Sequence, residues 1–67
     1  MNYKELKAEL VRNDLSIPEF AKRLGLSKKA MYERFNGKVP FKQNEIFKAK
    51  SLLNLSDDRI ISIFFAS

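Results

Sequence analysis

The run Glu19-Phe-Ala-Lys-Arg-Leu-Gly-Leu-Ser-Lys-Lys-Ala-Met-Tyr-Glu-Arg-Phe-Asn-Gly-Lys38 divides into two short helical halves, and its reading decides the fold. In the first half Phe20, Ala21 and Leu24 share one helical face. Gly25 then offers the residue best able to take the left-handed conformation that ends a helix. Ser27 opens a second helix, because its hydroxyl can accept from an otherwise orphaned backbone amide. Met31 and Phe35 lie four residues apart and turn inward together, while Lys28, Lys29, Tyr32 and Glu33 occupy the other sides. Asn36-Gly37 closes this helix as Gly25 closed the first. Ala21, Gly25, Met31 and Phe35 are scaffold. Their spacing sets a crossing that leaves the start of the second helix protruding.

On the N-terminal side, Tyr3, Leu6, Leu10 and Val11 recur with helical spacing and predict a first helix over about residues 2–13 with that stripe on the core. Ser16-Ile-Pro-Glu19 carries two start signals for the next helix: a capping box and a proline in the first turn. On the C-terminal side, Pro40 forbids a regular helix through Lys38 to Lys42, and Phe41 reads as a plug over the core. Ile46, Ala49 and Leu53, flanked by Phe47 and Leu52, then predict a helix ended by Asn54. Ser56 caps a last one, with Asp57 and Asp58 complementing the positive end of its dipole. In the final segment Ile60, Ile63 and Phe64 form one helical stripe and Ile61 with Phe65 another, although the alternation also fits an edge strand. The reading is an all-α compact bundle of about five short helices. It forms a single domain over 1–67, in which 57–67 is an apolar C-terminal helix or tail.

Composition narrows the chemistry. The chain has 67 residues with no cysteine and no histidine, so disulfides, thiol catalysis and the usual zinc ligand sets are absent, and no cofactor is expected. No glycine-rich phosphate loop or paired carboxylate marks an enzyme or a small-molecule substrate site. The longest apolar run, Ile63 to Ala66, is far short of the roughly 20 residues that span a bilayer. The N-terminus is not a signal peptide, so a cytoplasmic protein is expected with no membrane partner. Net charge is +5, and residues 22 to 50 hold nine Lys or Arg against Glu33 and Glu45. That concentration suits a polyanion, since each phosphate neutralised releases condensed counterions. A basic face kept for solubility is the alternative.

The 19–38 run resembles the helix-turn-helix of the Cro/repressor family of phage and bacterial regulators, and the resemblance covers most of the chain. It rests on Ala21 facing a tight turn, Gly25 four residues later, Leu26 inside the turn, Ser27 opening the second helix and Asn36-Gly37-Lys38 closing it. One departure stands out: where many members carry an aliphatic residue three after Met31, this chain has Arg34. The resemblance implies a repressor-like DNA-binding domain acting as a small phage or prophage-type transcriptional regulator on a double-stranded DNA operator, with two copies meeting as a weak homodimer. A protein-interaction module, such as an antirepressor or antitoxin-like partner working through the apolar tail, is the competing reading.

On the leading reading Lys28, Lys29, Tyr32 and Glu33 lie near base edges, where lysine suits guanine acceptors and a carboxylate can accept from a cytosine amino group. Glu33 is read equally well as an ion pair with Lys29 one turn away. Asn36, Arg34, Lys38 and Lys42 are expected at phosphates, with backbone amides near Ser16 and Ile17 at the positive end of the second helix. Lys4 and Lys7 are further phosphate candidates. Ile61 and Phe65, or the alternative stripe with Phe64, are expected to supply the dimer contact, unless both stripes are buried in the monomer.

Overall fold

Three serines and two asparagines punctuate the chain. The structure, a computed structural model, describes residues 1–65, which form α1 (Tyr3–Arg12), α2 (Ile17–Leu24), α3 (Lys28–Phe35), α4 (Gln43–Leu53) and α5 (Asp57–Phe64). Among the described residues there is no strand. Ser16, Ser27 and Ser56 are N-caps whose hydroxyls accept from the third amide of α2, α3 and α5 respectively, and Asn2 caps α1 in the same way. Each such cap is worth about 1 kcal/mol. Gly25, at φ 76°, and Asn54, at φ 53°, end α2 and α4 in the left-handed conformation. Gly37 is also left-handed, and a Cβ there would come within 3.0 Å of the Tyr3 hydroxyl. Both conformation and space disfavour a side chain at that position.

The core takes Leu6 and Leu10 from α1, Phe20, Ala21 and Leu24 from α2, Met31 from α3, and Ala49 and Leu53 from α4. Ile60, Ile63 and Phe64 close it from α5. Phe41 is indeed buried over it. A ladder of rings runs from Tyr3 to Phe35, Phe41 and Phe64, with centroids 6.2, 6.3 and 5.4 Å apart. The last two contacts are edge-to-face, the arrangement that the ring quadrupole favours.

Three expectations need correction. Val11 is not on the core; it is 75% exposed, because at 100° per residue it lies about 140° round the helix from Leu6. Its place is taken by Glu9, which is buried. The tail is helix α5 and not an edge strand through Phe64. Phe64 is core rather than dimer surface, since it packs edge-on to Phe41. Ile61 and Phe65 do fall on the exposed side of α5.

Buried charge is compensated throughout, with no unsatisfied buried side-chain polar atom among the described residues. Glu9 accepts from Arg12 Nη1 at 2.9 Å and from Arg59 Nε at 3.2 Å, and Arg59 Nη2 reaches Glu5 at 2.9 Å. Arg59 thereby joins α5 to α1. The Asn2 amide adds a 2.7 Å bond to the Ile63 carbonyl at the end of α5. The Arg12 hydrogen bond is the main influence holding the Glu9 carboxyl below its ordinary value; burial opposes it and Arg59 assists.

Two outcomes are expected. Phe64→Ala should lower the free energy of unfolding by about 3–5 kcal/mol, the usual cost of truncating a buried ring. Phe65→Ala should change it by under about 0.5 kcal/mol, as at exposed positions generally; urea titration measures both. A carboxyl whose folded pKa is depressed contributes stability that is present above its unfolded value and lost as pH falls through the folded one. Unfolding free energy should therefore drop on acidification below 4.5, the ordinary value for Glu9. Glu9→Gln should flatten that dependence, and parallel pH curves for the two proteins would remove Glu9 from the account.

Candidate functional site

The exposed side of α3 is built by its own cap. Ser27 Oγ accepts from the Ala30 amide at 3.1 Å, so the helix starts abruptly and the first residues inside it, Lys28 and Lys29, project into solvent. Tyr32 follows one turn later and is 65% exposed. Asn36 is exposed at the C-cap. Beyond it the chain folds back: the amides of Lys38 and Val39 both donate to the Glu33 carbonyl, at 3.0 and 3.4 Å, which holds the exposed Lys38 beside the end of α3. Lys42 is exposed at the start of α4. Among the described residues none of Lys28, Lys29, Lys38 and Lys42 forms an ion pair. Glu33 is half-buried and makes no ion pair with Lys29, so the pairing expected as its alternative role is not formed.

A cleft of about 320 Å³ opens where α1, the start of α2 and α3 meet, and Lys7, Ile17, Lys28, Tyr32 and Asn36 line it. Residues expected to act together from three separate segments thus share one surface. Lys29, Lys38 and Lys42 lie outside this cleft. An apolar floor with a cationic rim can take a sugar-phosphate or a base methyl while binding phosphate oxygens at its edge.

Two expected phosphate contacts are corrected. Arg34 is buried, at 6% exposure. Its Nε and Nη2 each donate to a carboxylate oxygen of Glu45 at 3.0 Å, and Nη1 donates to the Ala30 carbonyl at 3.3 Å. Three of its N–H donors are spent inside the molecule. The physical reason is position: Arg34 follows Met31 by three residues on the core side of α3, so it must bring its counter-ion in with it. Ser16 is exposed, but its amide donates to Glu19 Oε1 at 3.1 Å and its hydroxyl accepts from the Glu19 amide at 3.2 Å. The Glu19 carboxylate, kept below its ordinary pKa chiefly by the Ser16 amide, occupies the place a phosphate would take. The Ile17 amide is left beside it.

Glu45 is the residue that sequence reasoning missed. Burial raises its pKa, yet hydrogen bonds from Arg34 and from the Lys42 amide, the latter 2.9 Å away, outweigh burial and keep it ionised. The signal was available: an arginine in the core-facing register of a short helix requires a carboxylate. Arg34 in turn is held charged above its ordinary value, first by its hydrogen bonds to Glu45.

A second surface lies between α4 and α5. Phe41, Ile46, Phe47, Ile60 and Phe65 line an apolar groove of about 380 Å³. Phe47 and Phe65 are 59% and 65% exposed, and Ile61, on the outer side of α5, is 58% exposed. Among the described residues no cluster of metal-binding side chains occurs and no helix is long and apolar enough to cross a membrane.

No curated protein and no solved structure gives a significant match to the chain. A family model does, over residues 1–67, and the chain therefore belongs to the family described as "Protein of unknown function (DUF739)".

Proposed function

We propose that the chain binds double-stranded DNA sequence-specifically, as a small phage or prophage-type transcriptional regulator of the repressor or Cro kind, acting in the cytoplasm. The observation that carries this reading is the exposed side of α3, where Lys28, Lys29, Tyr32 and Asn36 stand clear without ion pairs and Lys38 is held beside them. A helix of this size fits the major groove. Lys28 and Lys29, in its first turn, then reach base edges, and the Tyr32 ring lies against a thymine methyl or sends its hydroxyl to a phosphate. Glu33, half-buried, takes the lesser part. Asn36, Lys38, Lys42, Lys7 and the Ile17 amide meet phosphates, positioning the helix without reading sequence.

A single helix reads few base pairs, so two copies on a two-fold operator, with reading helices roughly 34 Å apart, supply the remaining specificity. Ile61 and Phe65 are the pairing residues of this reading. The contact is small, and self-association in free solution is expected to be micromolar or weaker, with DNA strengthening it.

One observation favours a second reading, a protein-interaction module of the antirepressor or antitoxin-like kind: the apolar groove between α4 and α5, edged by Phe47 and Phe65. Selection of bound fragments from random DNA, followed by mobility shifts at two salt concentrations, separates the readings. A module of the second kind retains no fragment in preference to bulk DNA.

With a selected site in hand, Lys38→Ala should weaken binding to all sequences alike and reduce the slope of log affinity against log salt by about 0.9. Lys29→Ala should lose about 1–3 kcal/mol on the matched site and less on a mismatched one. Equal loss on both would make Lys29 a phosphate contact. Phe65→Asp should leave a folded monomer that occupies a two-fold site without cooperativity. Identical sedimentation and identical steepness for the two proteins would sink the pairing role.

A further inference from the structure

α3 has few apolar anchors. Met31 is the only apolar residue of its eight that is fully buried, and the other buried side chain is Arg34. Phe35, half-buried against the rings of Tyr3 and Phe41, adds a second apolar contact at the far end, but hydrophobic burial is non-directional and leaves the rotation of so short a helix about its own axis loosely fixed. The Arg34 guanidinium supplies the direction. Two parallel N–H···O bonds of 3.0 Å to the Glu45 carboxylate fix the plane of the group, and a third bond from Nη1 to the Ala30 carbonyl ties it to the preceding turn of its own helix. The same carboxylate also takes the Lys42 amide at 2.9 Å. Glu45 is therefore shared between α3 and the first turn of α4, and it holds the 38–42 loop to the helix.

The pair is nearly dry: the side chains are 7% and 5% exposed. Desolvation offsets most of the attraction in such a pair, and apolar residues of similar volume commonly serve stability as well or better. What an apolar pair lacks is a preferred angle.

We infer that Arg34 and Glu45 are positioning residues which set the rotation of α3 and the place of Lys42 relative to its exposed side. The functional half rests on the DNA reading above: that placement is what gives the interface its discrimination between sequences.

The test uses the full chain with the double variant Arg34→Met, Glu45→Leu. It should remain helical with a melting temperature no lower than that of the parent. Residual dipolar couplings of the α3 and Lys42 amides, measured on free protein, should depart from the parent values while those of α1 and α2 keep them. On DNA, the ratio of affinities for the selected and a scrambled site should fall tenfold or more. Affinity for the scrambled site should change far less, and its salt slope by no more than about 0.9, the share of one phosphate contact, that of Lys42, since every exposed lysine is retained. Unaltered couplings, or an unfolded double variant, overturn the positioning role. Altered couplings with an intact affinity ratio overturn its functional half. If the parent prefers no DNA sequence, the DNA reading fails, and the couplings still decide whether the pair positions α3. Glu45→Gln alone serves as the contrast: it strands a buried guanidinium and should lower the melting temperature, and an unchanged one would show that Arg34 does not depend on its partner.

Discussion

A guanidinium buried at the junction of α3 and α4 obliges the chain to bring it a carboxylate. Arg34 cannot reach water, so Glu45 must sit three residues inside the start of α4, where it also satisfies the Lys42 amide. That one requirement fixes where the loop after α3 returns and where α4 begins. The loop itself is confined by Gly37, whose left-handed backbone lies against the Tyr3 hydroxyl, and by Phe41, which seals the core between Phe35 and Phe64. A short helix anchored by Met31 and by the Phe35 ring is thereby also held by a polar contact.

The junction of α5 and α1 uses the same device in a looser environment. Arg59 spans from α5 to Glu5 and Glu9 of α1, and in so partly exposed a cluster solvent screening keeps each pair's contribution small. Together with the bond from the Asn2 amide to Ile63 it closes the first helix on the last. Glu5 and Glu9 are engaged on this side, Asp57 with Lys50, and Glu45 with Arg34. The exposed Lys28, Lys29 and Lys38 form no ion pair, and the electrostatic asymmetry of the sequence becomes an asymmetry of surfaces.

Local signals were legible and tertiary ones were not. The caps at Ser16, Ser27 and Ser56, the stops at Gly25 and Asn54, and the two stripes of α5 depend on residues within one or two turns, and the structure has them where spacing predicts. Val11, Glu9, Arg34 and Glu45 were misplaced or overlooked because hydropathy assigns apolar residues inward and charges outward. In a core this small, two carboxylates and an arginine take inward positions, and each is paired there with an opposite charge: Glu9 with Arg12 of its own helix and Arg59 of α5, Arg34 and Glu45 with each other. The exposed basic positions of α3 were legible residue by residue. Their convergence with Lys7 and Ile17 needed the packing of three helices, which no local pattern encodes.

The ring ladder also gives the molecule separable optical signals. The chain has no tryptophan and two tyrosines. Tyr3 is packed against Phe35 at one end of the ladder, whereas Tyr32 stands in solvent on the exposed side of α3. Near-ultraviolet dichroism, which requires an asymmetric fixed environment, is thus weighted to Tyr3 and follows tertiary packing. Collisional quenching of tyrosine emission is weighted to Tyr32 and follows the covering of α3. With no indole to absorb their excitation energy, folding and occupation can be watched in the same cuvette on the unlabelled protein.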